Sequence, residues 1–342
     1  MSKQILVTGG TGYIGSHTVV ELQNEGFEVV IIDDLSNSSI DVLDAIEKIT
    51  GKRPGFEQFN LTDRGKTDAF FEKYKDIEAI IHFAAYKAVG ESVQKPLEYY
   101  RNNLVSLMNL LENMKKYQVP NMVFSSSCTV YGQPDKLPVT ESTPRKSAES
   151  PYGNTKAISE DIMRDFSTVN DGVNCIALRY FNPIGAHPSA LIGELPVGVP
   201  NNLVPFITQT AAGLRDELKI FGEDYATEDG TAIRDYINVV DLAKAHVVAI
   251  NRLLEDKNKA SYEFFNVGTG NGYSVMQLVK SFIDVNGVDL PYQIVDRRAG
   301  DIEKIWADTT FANEELGWKA EKTLDETLKS AWEWEKKVRN IK

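Results

Sequence analysis

A doubly wound parallel α/β sheet followed by a smaller α/β lobe is the fold class that this 342-residue sequence predicts. Three observations lead there: apolar runs of strand length, helical spacing between those runs, and a change of texture after about Arg179. The apolar runs fall at residues 5–7, 29–32, 79–83, 122–124 and 175–178. Strands buried on both faces should be continuously apolar, as these are. Helical spacing occupies residues 15–25, 63–74, 97–117 and 152–167. Strand and helix in alternation imply parallel strands joined by right-handed crossovers. Past Arg179, residues 182–202 are rich in Pro and Gly and read as a long functional loop. Helical patterns then return at 203–214, 240–254, 275–286 and 324–339, mixed with short strands. The division expected is residues 1–181 and 182–342, with parts of 237–270 returning to the first lobe. Ligands of such sheets lie in the crevice beyond the carboxyl ends of the strands.

Composition narrows the function. The 42% hydrophobic and 25% charged residues describe an ordinary globular protein, and the net charge of −12 argues against a nucleic-acid partner, which needs a cationic face. Cys128 and Cys175 are too few for a disulfide framework, and His17, His82, His187 and His246 are scattered, so no metal site is expected. The first residues lead straight into an apolar strand without a leader pattern, and no apolar run reaches membrane-spanning length. The expected location is the cytoplasm. Repeats and low-complexity segments are absent from the sequence.

The first apolar run enters Gly9-Gly10-Thr11-Gly12-Tyr13-Ile14-Gly15. Glycines at 9, 12 and 15 form a dinucleotide-binding pattern: one permits the tight turn, one lets a pyrophosphate approach, and one lets helix pack on strand. The helix start adds free N–H groups and a positive dipole end. A glycine pattern alone is also met in ordinary strand-to-helix turns. The next run, however, ends at Asp33, where a carboxylate accepts hydrogen bonds from the adenosine ribose and repels a 2′-phosphate. NAD is therefore expected, in preference to NADP, in a Rossmann-type lobe.

Tyr152 and Lys156 stand at i and i+4, on one helical face, behind Ser150 as N-cap and Pro151 in the first turn. A nearby ammonium and a positive nicotinamide ring should lower a phenol's pKa from about 10 and make it a general base. Y-x-x-x-K alone is common by chance. Its context here is the run at 122–124, which ends in Ser125-Ser126-Ser127-Cys128-Thr129-Val130-Tyr131-Gly132. A hydroxyl at that strand end is placed to hydrogen-bond a reacting oxygen.

With these blocks the sequence resembles the extended short-chain dehydrogenase/reductase family, and within it the UDP-glucose (UDP-galactose) 4-epimerases. Besides the glycine loop and the Tyr/Lys pair, the resemblance is carried by His82-Phe83-Ala84-Ala85-Tyr86-Lys87, Leu178-Arg179-Tyr180-Phe181-Asn182-Pro183, Pro200-Asn201-Asn202-Leu203, Arg234-Asp235-Tyr236 and Trp306-Ala307-Asp308. It implies Ser127, Tyr152 and Lys156 as the catalytic trio, all three also touching cofactor and the first two also substrate. For NAD it implies Gly9, Gly12, Tyr13, Ile14 and Gly15, then Asp33, Asp34, Leu35, Asn37 and Ser38. Asn60, Leu61, Phe83, Ala84, Ala85, Lys87, Asn102 and Phe181 complete that set. For the nucleotide sugar it implies Asn182, Asn202, Leu203, Lys219, Phe221 and Arg234, with Tyr236, Arg298, Asp301 and Ile305. The two arginines make sense as bidentate pyrophosphate clamps.

The activity implied is reversible epimerisation at C4 of a UDP-hexose. Tightly bound NAD takes the C4 hydride, leaves a 4-keto sugar, and returns it to the opposite face, with Tyr152 as base. A dehydratase or decarboxylase of the same family is the alternative; those enzymes carry carboxylates after the serine strand, where Cys128-Thr129-Val130 offers none. A non-catalytic NAD-sensing protein would typically lack the tyrosine or lysine, and an ordinary dehydrogenase would release NADH. Two positions depart from the family. Asn60 replaces an acid near the adenine. Ile305 stands where a tyrosine excludes, and small residues admit, an N-acetyl group on the sugar, so some activity on UDP-N-acetylhexosamines is expected. The family also implies a homodimer through residues 97–117 and 152–169.

Overall fold

The computed structural model describes residues 3–298 and 301–341. Its first half alternates strand and helix: β1 (Gln4–Thr8), α1 (Tyr13–Asn24), β2 (Glu28–Asp33), α2 (Val42–Thr50), β3 (Gly55–Gln58), α3 (Arg64–Lys73) and β4 (Ile77–His82). Then come α4 (Val89–Gln94), α5 (Pro96–Tyr117), β5 (Asn121–Ser127), α6 (Pro151–Val169) and β6 (Asn174–Tyr180). The second half runs β7 (Asn182–Ile184), α7 (Leu203–Ala211), β8 (Leu218–Phe221), β9 (Ile233–Arg234), β10 (Tyr236–Asn238), α8 (Val239–Leu254) and β11 (Tyr262–Val267). It ends with β12 (Tyr273–Ser274), α9 (Val275–Asn286), β13 (Tyr292–Val295), β14 (Lys304–Ile305) and α10 (Leu324–Arg339).

Seven strands form one parallel sheet in the order β11-β6-β5-β4-β1-β2-β3. The order reverses between β1 and β4, which opens the crevice at their carboxyl ends. Successive side chains of a strand face opposite ways, so one apolar run serves two cores. Ile5, Val7, Val29 and Ile31 meet Val19, Val20, Leu43, Leu242 and Ile250 of α1, α2 and α8 on one face. Leu6, Val30, Ile32 and Ile80 meet Phe70, Phe71, Leu107, Leu110 and Met163 of α3, α5 and α6 on the other. At roughly 25 cal/mol per Å² of apolar area, these two layers are the main favourable term in folding.

Two sheet strands escape the apolar-run criterion. β3 reads Gly-Phe-Glu-Gln and β11 Tyr-Glu-Phe-Phe-Asn-Val; both are edge strands with one side toward solvent, so neither is continuously apolar. The chain leaves the sheet after β6, returns with α8, which packs on α1, and β11, which pairs with β6, then leaves again. The smaller lobe has its own core of Ile207, Leu218, Ile220, Leu278, Phe282, Leu328 and Trp332, from α7, β8, α9 and α10. A fourth cluster lies between the lobes: Cys128, Val130, Tyr131, Val139, Phe181, Ile305 and Ala307.

Candidate active site

The glycine loop is built for close approach. Gly9 has φ +71, and a Cβ there would stand 2.8 Å from the amide nitrogen of Ala84, in the loop after β4. A Cβ on Gly15 would overlap the carbonyl oxygen of Gly9. The N-cap of α1, Gly12, has no side-chain cap, so no side chain occupies the first-turn N–H groups. Tyr13 and Ile14 open the helix. At the end of β2, Asp33 is buried and accepts hydrogen bonds from Thr11 N at 3.2 Å, Leu35 N at 2.9 Å and Ser38 Oγ at 3.2 Å. Leu35 takes φ +59, bending the chain around that carboxylate, while Asn37 stands exposed beyond it. Asn60 donates to Asp34 Oδ2 at 2.7 Å and accepts from Thr62 N, beside buried Leu61. Phe83, Ala84 and Ala85 follow β4 directly, so these segments share one rim. The cradle and the acid at the second strand end fit an adenine dinucleotide.

The tyrosine and lysine sit where the serine strand ends. Ser150 Oγ accepts from Gly153 N at 3.1 Å, capping α6 with Pro151 in its first turn. Thr155 Oγ1 donates to Tyr152 O at 2.7 Å and accepts from Asn103, whose amide also holds both Tyr86 N and Tyr86 O. Lys156 is buried and its Nζ donates to Ser125 O at 2.6 Å, 4.7 Å from the Phe124 ring centroid and 5.8 Å from that of Tyr152. The protein's own groups act against the lowering of the Tyr152 pKa that is expected of the ammonium and the nicotinamide ring together. Burial pushes the phenol up, nearby Tyr180 and Cys128 add to the rise, and a hydrogen bond from Ser127 opposes it. Burial also pulls Lys156 down to about 7, against the charge of Glu160. A desolvated ammonium is itself disfavoured.

Apart from Ser127 and Tyr152, the residues expected to meet the sugar all come from the second half of the chain. Asn182 heads β7, which pairs with β10, where Tyr236 is buried. The Arg234 guanidinium donates to Ile302 O at 2.6 Å and Ile233 O at 2.8 Å. Arg298 forms an exposed pair with Asp301 at 2.8 Å and lies 5.5 Å from the Phe221 ring. Phe221 is 39% exposed and Lys219 is exposed on the same strand. Asn202 is the N-cap of α7, followed by Leu203. Ile305 is buried against the wall that contains Phe181 and Cys128. Three of the residues expected at the cofactor also bond within the protein: Tyr13 donates to Gly185 O, Asn102 to Asn103, and Lys87 pairs with Glu194 at 3.2 Å. Glu194 also accepts from Asn202 at 2.5 Å, so it joins a lysine expected at the cofactor to an asparagine expected at the sugar.

Residues 6–331 match the family described as GDP-mannose 4,6 dehydratase. The UDP-glucose 4-epimerase of Bacillus subtilis is 51% identical, over 97% of this chain and 96% of that protein. The chain belongs to the UDP-glucose 4-epimerase family. Among solved epimerases, that of Stenotrophomonas maltophila with bound NAD and formylated UDP-arabinopyranose superposes with TM-score 0.95 at 45% identity, covering 99% of this chain and 100% of that one. The epimerase of Bifidobacterium longum in complex with NAD+ and UDP gives 0.94 at 45% identity with the same coverage. The Rossmann-type fold read from the sequence is that of these epimerases, and the epimerase reading prevails over the dehydratase one.

Some residues that organise this epimerase site carry no motif. Asp235 is fully buried and accepts from Thr269 N at 2.9 Å, Gly270 N at 3.2 Å and Ala307 N at 3.3 Å, stitching three segments behind the sugar side. Glu160 and Arg179 form a buried pair beneath the serines. Asp235 had a visible signal, lying between Arg234 and Tyr236, as did Arg179 in the block from Leu178 to Pro183, whereas Glu160 had none. Among the described residues no cluster of His, Cys, Asp and Glu could hold a metal ion. None of the described helices is long and apolar enough to cross a membrane.

Proposed function

We propose that this protein interconverts UDP-galactose and UDP-glucose by epimerisation at C4, with permanently bound NAD. The observation that carries the reading is the Ser127–Tyr152–Lys156 group, with Ser127 and Lys156 buried and Tyr152 half-buried, at the end of β5 on the same sheet rim as the glycine cradle. NAD is held by Gly9, Gly12 and Gly15 at the pyrophosphate, by Asp33 and the 34–38 turn at the adenosine ribose, and by Asn60, Lys87 and Asn102 at the rim. Bound nicotinamide supplies the hydride acceptor and return donor for C4, through a 4-keto sugar. Tyr152 takes the proton of the 4-hydroxyl and gives it back to the 4-oxygen after the sugar has turned. Ser127 hydrogen-bonds that oxygen, and Lys156 in its charged form stabilises the phenolate. Arg234, Arg298, Asn182, Asn202 and Phe221 hold the UDP part, leaving the hexose loose enough to rotate.

The decisive experiment supplies UDP-galactose to purified protein without added NAD. UDP-glucose should accumulate with no build-up of NADH. A steady rise in NADH absorbance would instead mark a dehydrogenase, and a dehydrated product would revive the alternative.

The cofactor lobe in this reading is 1–181 together with 239–267, and the sugar lobe is the rest. Ile305, smaller than tyrosine, admits UDP-N-acetylglucosamine; no turnover of that substrate by protein active on UDP-galactose would refute this. A homodimer through α5 and α6 is supported by Leu97, Met108 and Val169, exposed at 75%, 42% and 77%. A sedimentation mass of one chain would exclude it. The cytoplasmic assignment is supported by two free, buried cysteines, which suit a reducing compartment; localisation of a tagged chain tests it.

A further inference from the structure

We propose that the buried Glu160–Arg179 pair is a positioning device for the reaction: Glu160 braces the α6 face bearing Tyr152 and Lys156 against the end of β5, and supplies the counter-charge that keeps Lys156 cationic. The inference rests on the epimerase reading, in which those two residues handle the proton.

Tyr152, Lys156 and Glu160 follow one another at intervals of four and so share one helical face. The Glu160 carboxylate accepts from Arg179 Nε at 2.9 Å, Arg179 Nη2 at 2.6 Å and Ser126 Oγ at 2.5 Å. Ser126 immediately precedes Ser127, and Lys156 Nζ bonds the carbonyl of Ser125. The helix face is thus tied to the last three residues of β5 at two points. Arg179 is itself fixed: Nη1 donates to Tyr131 Oη at 3.0 Å, the guanidinium lies 4.0 Å from the Phe264 ring centroid, and Tyr131 donates onward to Asn266 at 2.7 Å. The side chains of Glu160 and Arg179 are 2% and 4% exposed. Burying an ion pair is a poor way to gain stability, because desolvation offsets the attraction. Its position under the reacting groups offers a different reason.

Around Lys156 few other groups are ionised. His82 from β4 is held near 3 by burial and by the lysine charge, so it is neutral. Tyr180 from β6 is pushed up to about 12, and burial also raises Tyr152 and Tyr99 of α5. His246 of α8 is pulled down to about 4. Glu160 is left as the carboxylate favouring the charged lysine against its burial. Arg145 approaches its far oxygen at 3.6 Å from the surface side.

The test compares cofactor-loaded wild type with Glu160→Gln and with Glu160→Gln/Arg179→Met, reading kcat and KM for UDP-galactose across pH, with thermal unfolding. Removing an opposing charge should move the alkaline limb of kcat down by about one pH unit or more in both variants, since the lysine then loses its proton earlier. In mildly alkaline buffer kcat should fall about tenfold with KM changed by less than about twofold. The double variant has no stranded guanidinium, so it should unfold at or above the temperature of the single one yet keep the displaced limb. A double variant with the wild-type limb would reduce the pair to a structural role and overturn the proposal, as would a single variant with an unmoved limb. If the single variant does not fold, the double variant decides. Absence of epimerisation by wild type in the same assay would refute the underlying function instead.

Discussion

Tyr152 faces a conflict between burial and chemistry. Its phenol must give up a proton, yet its surroundings favour the neutral form and draw the lysine partner toward neutrality as well. The positive charge needed in the crevice must be concentrated when ligands fill it, which ties proton transfer to occupancy. Tyr152→Phe keeps the ring's packing and removes the oxygen; turnover should drop by about 10²- to 10⁴-fold while NAD remains bound. Epimerase activity within tenfold of wild type, measured with UDP-galactose, would remove Tyr152 as the base. At this scale the sequence was readable wherever a residue type has a fixed office: glycines that face backbone, an acid at a strand end, a phenol four residues from an amine. Glu160, Glu194 and Asp235 escaped a role because their partners come from distant segments. Carboxylates look alike until Arg179, Lys87 or the amides of residues 269, 270 and 307 are brought to them.

Among the elements, α6 does the most with the least. Its first turn holds Tyr152, and its only side-chain cap is the Ser150 hydroxyl on Gly153 N. Ser150→Ala should cost about 1 kcal/mol of stability, read as a lower urea midpoint, and should lower kcat through fraying of the turn that orients the phenol. An unchanged midpoint would mean that Pro151 alone holds the start. Helix signals of this kind were legible: the patterns at 275–286 and 324–339 coincide with α9 and α10, each opened by a capping box at Ser274 or Thr323. The helix α2 was not singled out, although Val42, Leu43, Ile46 and Ile49 mark a face; at nine residues between loops it is too short to announce itself. The edge strands β3 and β11 were illegible because water on one side removes the pressure for continuous apolar sequence.

For the whole molecule, three histidines set the acid limit. His17, His82 and His246 are buried and pulled down to about 3, 3 and 4 by desolvation, and the Nε2 atoms of His17 and His246 find no partner among the described residues. In the unfolded chain they titrate near 6.5, so between pH 6.5 and 4 the unfolded state binds more protons and stability falls as pH falls. Three such groups give a slope of up to about 4 kcal/mol per pH unit over that range. Denaturant unfolding across pH checks this, and a flat profile from pH 6.5 to 4.5 would show the rings already protonated in the fold. The path of the backbone sets another limit. Because the strand β11 and helix α8 come back to the sheet before the chain departs again, the two lobes are joined by three separate passages. Any relative motion of the lobes must therefore be shared by all three passages at once, as a hinge with three strands of cloth and not one. A fragment cut after residue 181 would bare the whole hydrogen-bonding edge of β6 and should aggregate when expressed alone.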